Sequence, residues 1–267
     1  MVETLSPNLD ATGAANPGLV RRVLGWGVHL YTASGLAIAA VIVALLVNGG
    51  PDAFRWSFLL MLLATVVDAT DGTLARAVRI KEAIPNFDGR RLDDITDFLT
   101  YTCLPLLLIW RAGILPEGQE GWLIVPLLAS AYGFCQVNVK TPDGFFLGFP
   151  SLWNIVALYL YALPIPPQAA LWILLILAFL TFVPVKHLYP SQPGRLNQFA
   201  TLTGIAWGVL VGLLAWRLPS QADGLVSTQT AALAGISLIY PIFYMGTSWY
   251  ITLRSWLKPR PATSPQG

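Results

Sequence analysis

The chain has 267 residues, of which 55% are hydrophobic and only 11% charged, and its formal net charge is +2. A composition this apolar excludes an ordinary water-soluble globular domain, and so small a charge gives no electrostatic footing for nucleic acid. Cys103 and Cys135 both sit in apolar segments, which predicts two buried free thiols and neither a disulfide nor a metal site.

In chain order, residues 1–17 are polar, contain Pro and Gly and lack an apolar run, so they read as a flexible tail and not a cleavable signal. Residues 19–31 mix Leu, Val and Trp with Arg21, Arg22 and His29. That pattern predicts an amphipathic helix lying in a membrane interface, with the charged flank of a first span as the alternative. His29 is expected to be an interfacial polar group. Eight apolar runs follow, at 33–48, 53–77, 92–112, 122–139, 152–163, 169–185, 199–216 and 230–253, of which the fifth is short. Gly- and Pro-containing breakers at 49–52, 113–116, 164–167 and 218–220 separate them. Residues 255–267 read as a cytoplasmic tail. The expected fold is therefore all-α: a polytopic membrane bundle of about eight transmembrane helices plus the interfacial helix, forming one domain over 1–267. Ten Trp and nine Tyr suit aromatic belts at two interfaces. With the N-terminus inside, thirteen of the sixteen Lys and Arg fall on the cytoplasmic side, leaving Arg55, Arg111 and Arg217 outside.

Residues 68–97 break the apolar pattern. They hold seven of the fourteen acidic residues: Asp68, Asp71, Glu82, Asp88, Asp93, Asp94 and Asp97. Carboxylates at the membrane ends of apolar helices are costly and point to function. On a helix, Asp68, Asp71 and Ala75 share one face, as do Gly89, Asp93 and Asp97. Four carboxylates gathered from two helices repel one another unless cations neutralise them, and hard oxygen donors suit Mg²⁺, Mn²⁺ or Ca²⁺. Two such ions form the usual clamp for displacement at phosphorus. A polar helix-loop-helix, with each acid paired to a neighbouring Arg or Lys, explains neither the small residues nor the matched faces. A cation-coupled transporter would spread acids through the membrane depth, yet the other apolar runs contain none, and the aspartate pattern is not repeated.

The pattern D-x-x-D-G-x-x-A-R, carried by Asp68, Asp71, Gly72, Ala75 and Arg76, is followed by G-x-x-x-D-x-x-x-D, carried by Gly89, Asp93 and Asp97. Together they resemble the signature of the CDP-alcohol phosphotransferases, integral-membrane enzymes that displace CMP from a CDP-linked donor with an alcohol. The twelve residues between Arg76 and Gly89 exceed the spacing of most members. That long insert resembles the phosphatidylcholine synthase branch, which joins CDP-diacylglycerol to choline. The resemblance implies two divalent cations, Mn²⁺ or Mg²⁺, held by Asp68, Asp71, Asp93 and Asp97, with Asp93 and Asp97 catalytic and Asp97 doubling as general base. It further implies that Gly72, Ala75, Arg76 and Gly89 bind CDP-diacylglycerol, that the partners are this donor, choline and membrane lipids, and that the protein is a homodimer. The site would face the cytoplasm from a bacterial inner membrane. Serine, glycerol 3-phosphate or inositol phosphate acceptors remain the alternatives within this chemistry.

Further expectations concern the surroundings. Gly72 and Gly89 leave room for a nucleotide or for close helix packing, and Asp94, about 100° off the aspartate face, belongs to the surface or supports the site. The insert extends the preceding helix and stops at Pro85, and the stretch 86–88 offers N-cap chemistry for the next helix. Lys186, His187 and Arg195 read as a basic inner loop. Choline cannot donate a hydrogen bond from its ammonium and needs ring faces, for which Trp153, Phe149 and Tyr101 are the candidates.

Overall fold

An apolar chain in a bilayer can leave no backbone N–H or C=O unpaired, which restricts spanning segments to helices or closed barrels. The computed structural model describes residues 18–137, 141, 145–188, 195–219 and 226–257, and it takes the helical solution. The predicted tail 1–17, the last residues 258–267 and most of 138–144 lie outside these. The elements are α1 (Leu19–Asn48), α2 (Ala53–Val78), the single turn α3 (Ile80–Ala83), α4 (Gly89–Asp97), a π-helical stretch over Phe98–Cys103 and α5 (Leu104–Arg111). A 3₁₀ turn at Glu120–Leu123 leads into α6 (Ile124–Cys135), then β1 (Phe145–Leu147), α7 (Trp153–Ala162), α8 (Pro167–Leu180) and β2 (Lys186–Leu188). The last helices are α9 (Arg195–Trp216), α10 (Thr228–Ser237) and α11 (Ile239–Leu257).

Each predicted apolar run contains a helix, but among the described residues four segments are long and apolar enough to cross a membrane by themselves: Leu19–Asn48, Ala53–Val78, Arg195–Trp216 and Thr228–Leu257. The fifth run yields α7, which at ten residues spans about 15 Å, half of a bilayer's apolar core. It is instead the most enclosed element. Trp153, Ala157 and Ala162 are fully buried, and polar contacts tie α7 to its surroundings. Asn154 donates to Thr65 Oγ1 (3.2 Å), Trp153 Nε1 donates to Ser130 Oγ (2.6 Å), and the Tyr159 hydroxyl meets Ser237 Oγ (2.9 Å) while accepting from Trp207 Nε1 (3.0 Å).

The structure revises several expectations. Residues 19–31 and 33–48 form one uninterrupted helix, because no Pro separates them and Ser34 bonds back to the Tyr31 carbonyl (2.6 Å) within the helix. Residues 255–257, placed in the tail, continue α11. The all-α expectation omits an antiparallel pairing of β1 with β2, in which Phe146 faces His187. His187 is no basic loop residue: it is buried beneath that pairing, and burial pushes its imidazole down to about 4, leaving it neutral near pH 7. The cysteines are free, but Cys103 is only half-buried and Cys135 is exposed. The expected N-cap is present, since Asp88 accepts from the Arg91 N–H at 3.2 Å and opens α4.

Helix ends gather at two levels. Arg111 Nε donates to the Leu46 carbonyl at the end of α1 (2.8 Å), and Arg55 donates through Nε and Nη2 to the Leu218 carbonyl just beyond α9 (2.9 and 2.6 Å). Side-chain cations here satisfy carbonyls that a helix C-terminus leaves open. From Leu46 back to Thr32, and from Arg55 on to Asp71, the helices run about 21 and 24 Å. Arg55 and Arg111 therefore brace the end opposite the aspartates. At the aspartate end, α1 and α4 touch through Gly35, where a Cβ would overlap the Thr96 side-chain methyl. Thr96 cannot turn aside freely, because its hydroxyl bonds the Leu92 carbonyl at 2.8 Å.

Gly35→Ala should therefore destabilise the protein by about 1–3 kcal/mol, the usual range for overpacking. At Gly72 a Cβ would meet only the tip of Arg76, at 3.4 Å, so Gly72→Ala should not destabilise the protein and, by helix propensity, should add up to about 1 kcal/mol. Thermal unfolding of the two variants in detergent checks the contrast.

Candidate active site

Asp68 and Asp71 lie one turn apart near the C-terminal end of α2, and Asp93 and Asp97 one turn apart on α4. Carboxylate oxygens of Asp68, Asp71 and Asp93 come within 4.8 Å of one another. Asp97 stands close enough to feel the charges of Asp68, Asp71 and Asp93. All four border a small void of about 10 Å³, which has room for roughly one water-sized sphere. The two predicted faces thus meet at one point.

The carboxylates are held from behind. Thr32 of α1 donates to Asp71 Oδ2 at 2.8 Å, and the Tyr101 hydroxyl donates to Asp68 Oδ2, also at 2.8 Å. Each hydroxyl fixes one carboxylate oxygen, the arrangement by which outer groups orient metal-binding carboxylates. Tyr101 reaches Asp68 from the π-helical stretch that begins one residue after Asp97. Pro105 lies just beyond and lacks the N–H that would bond the Tyr101 carbonyl, so the ordinary α ladder cannot continue there. The donor set is hard oxygen throughout, and its size and closeness fit small divalent cations such as Mg²⁺ or Mn²⁺.

The other three acids of residues 68–97 have ordinary ion pairs. Glu82 meets Arg21 at 2.7 Å, Asp88 meets Arg91 at 3.1 Å, and Asp94 meets Arg90 at 4.0 Å. Asp94, expected off the aspartate face, is half-exposed there.

A cavity of about 750 Å³ opens beside the aspartates and is bordered by Asp71, Asp93 and Asp97. Gly72, Ala75, Arg76 and Gly89 also border it. Gly72 leaves open space, whereas Gly89 is a packing position: a Cβ there would stand 2.6 Å from His29 Cε1. Arg76 reaches across its own helix to Thr73 Oγ1 at 3.0 Å, with its guanidinium exposed toward the cavity.

The three proposed choline rings are divided by the structure. Phe149 borders the cavity. Trp153 is completely buried behind it, ring to ring at 5.1 Å, and Tyr101 is buried with its hydroxyl on Asp68. Neither Trp153 nor Tyr101 reaches the cavity. Two groups escaped the sequence reading. Thr32 was one polar residue in an apolar helix, and its partner lies 39 positions away. His29 was placed at an interface, yet it is 5% exposed, borders the cavity and packs against Phe87 at 4.3 Å.

Thr32→Val keeps the shape of the side chain and removes the hydroxyl from Asp71. It should weaken Mn²⁺ binding about 10-fold or more, read by titrating the purified protein with Mn²⁺ and following the free-ion paramagnetic signal.

Comparison with known proteins agrees with this geometry. The family model for CDP-alcohol phosphatidyltransferase matches residues 29–183, which contain the aspartate pairs and the cavity wall. The chain is 37% identical over 238 residues to a phosphatidylcholine synthase of Pseudomonas aeruginosa, covering 89% of this chain and 95% of that one. It is 35% identical over 240 residues to the phosphatidylcholine synthase of Borreliella burgdorferi, covering 88% and 97%. A third relative of the same name, from Legionella bozemanae, is 45% identical over 141 residues, covering 52% of this chain and 65% of that one. With two carboxylate pairs converging beside a large cavity, and with two of these relatives matched over nearly their whole length, the chain belongs to the CDP-alcohol phosphatidyltransferase family.

Proposed function

We propose that this chain transfers the phosphatidyl group of CDP-diacylglycerol to choline and releases CMP. The observation that carries this reading is the meeting of Asp68, Asp71, Asp93 and Asp97 at one small void beside a cavity wide enough for a nucleotide and an alcohol together. The full-length relatives named phosphatidylcholine synthase supply the acceptor.

In this reading, the choline oxygen attacks the phosphorus that carries the diacylglyceryl group, and the bond from that phosphorus to the oxygen of CMP breaks. Asp97 takes the proton of the choline hydroxyl, a role that requires a carboxylate facing the cavity. Arg76 meets the departing phosphate charge, and the open face at Gly72 and Ala75 admits the nucleotide. Thr32 and Tyr101 keep Asp71 and Asp68 in fixed orientation, so the site needs no rearrangement as charge shifts. Asp68, Asp71, Asp93 and Asp97 would hold divalent cations, which would supply neutralisation of the diphosphate when bound.

The site faces the cytoplasm of a bacterial inner membrane. The excess of Lys and Arg at the aspartate end supports that orientation, as does the cytoplasmic origin of CDP-linked donors.

Three outcomes are expected. Purified protein given CDP-diacylglycerol and a panel of alcohols should release CMP fastest with choline; faster release with serine, inositol or glycerol 3-phosphate would refute the acceptor assignment. EDTA should abolish that release and Mn²⁺ or Mg²⁺ restore it, while Asp93→Asn and Asp97→Asn should each lower turnover about 100-fold or more with normal membrane insertion. In cells lacking other reactive cysteines, an impermeant thiol reagent should label a cysteine placed at Glu117, and one at Glu82 only after permeabilisation. Labelling at Glu82 in intact cells would invert the topology.

A further inference from the structure

The cavity lining has unlike parts. From α2, α4 and the turn between them it carries aspartates together with Arg76, Lys81 and Arg90. A second wall is built from the C-terminal end of α6 and the segment 146–151. Among the described residues, that second wall has no charged side chain. It offers Phe134, Phe146 and Phe149, with Gln136 and Ser151 beside them.

We propose that this aromatic wall is the acceptor site, taking a quaternary ammonium against the faces of Phe134, Phe146 and Phe149. The proposal rests on the choline reading above and adds to it where the ammonium sits. An ammonium bearing only methyl groups has no hydrogen to donate, so ring faces within about 6 Å and nearby negative charge are what can hold it. A second cation on the wall would oppose it. The neighbouring Lys186 is directed elsewhere, with its ammonium 5.3 Å over the ring of Phe145. Phe145 and Phe146 are successive strand residues and point to opposite faces, so Lys186 lies away from the face that Phe146 presents. A phosphorylated acceptor would find no cation on this wall among the described residues.

The wall is also built to stay in place. Gly148, with φ +82°, turns the chain where a Cβ would run into the Thr181 carbonyl. On either side of that turn, Gly148 N–H donates to the Val185 carbonyl (3.0 Å) and Phe149 N–H to the Leu180 carbonyl (3.2 Å). Buried Ser151 keeps a left-handed backbone at φ +53°, a strained conformation for a non-glycine residue and one often found at binding sites. Phe149 is backed by Trp153 and Phe134 by Phe98, whose ring lies 5.6 Å away edge to face. Phe98 directly follows Asp97, so the carboxylate that takes the proton and the ring that would hold the ammonium are linked through one contact.

The test measures CMP release by the whole protein in phospholipid vesicles against both substrates. Phe146→Leu and Phe149→Leu should each raise KM for choline roughly 2- to 30-fold and leave KM for CDP-diacylglycerol unmoved, while Phe146→Tyr, which keeps a ring face, should stay near the parent value. In the unaltered protein, 3,3-dimethyl-1-butanol, choline's uncharged isostere, should be a poorer acceptor by a similar or larger factor, an arm that needs no folded variant. An unchanged KM for choline in both Leu variants, equal rises for both substrates, or an isostere used as well as choline would overturn the proposal. Failure of choline to release CMP from the unaltered protein would instead overturn the functional reading beneath it.

Discussion

Mutual repulsion among four carboxylates, brought together where apolar helices leave little room for water, is the constraint from which the rest of the site follows. Such a cluster disperses unless its members are anchored, and the anchors are neutral hydroxyls. Thr32 and Tyr101 each hold one carboxylate of α2 without cancelling its charge. A lysine in either place would have neutralised the charge that attracts a cation, and a leucine would have left a carboxylate free to rotate away. The ion-paired acids Glu82, Asp88 and Asp94 stand outside the cluster, where solvent screens their pairs and makes them worth little to stability.

Holding α2 and α4 at that spacing is a task for the bundle as a whole. Gly35 lets α1 lie against Thr96 and Gly89 lets α4 lie against His29, so α1 is pressed onto α4 at two levels roughly two turns apart. Small residues at such crossings are the usual way apolar helices approach closely in a membrane. At the far end, Arg55 and Arg111 close helix termini onto one another. Between the two ends, α7 is too short to cross the bilayer and is enclosed. Its side-chain hydrogen bonds reach α2, α6, α9 and α10, a polar framework inside an apolar bundle that fixes which helices are neighbours.

The aspartates were legible in the sequence because their spacing matches the helix period and because acids are rare elsewhere in the apolar runs. The Asp88 cap was legible for a related reason: Pro85 ends one helix, and an Asp three residues later can begin another. What stayed hidden depends on contacts between distant residues. Tyr101 follows Asp97 by four residues, but the π-helical stretch intervenes and the hydroxyl goes to Asp68, 33 positions back. Trp153 starts a helix at the expected membrane level, and nothing in its local sequence reveals that Ser130 waits 23 positions back to take its N–H. The β1–β2 pairing joins segments 41 positions apart, each only three residues long, which no periodicity can register.

The insert between Arg76 and Gly89 gains a physical role from the same contacts. Within it α2 ends at Val78, and Arg79, with a left-handed backbone (φ +50°), turns the chain into α3 and back toward α1. From there Glu82 meets Arg21, Ile84 packs where Gly25 leaves space, and Phe87 lies on His29 and Trp26 at 4.3 and 5.3 Å. A shorter link could join α2 to α4 directly, but it would present none of these groups to α1. The insert thus docks the N-terminal half of α1 against the pair of helices that carry the aspartates. That docking places His29 and Thr32 in the site: one borders the cavity, and the other steadies Asp71. A segment outside the signature thereby governs the precision of the signature itself, because carboxylates that repel one another hold their geometry only as well as the helices bearing them are braced.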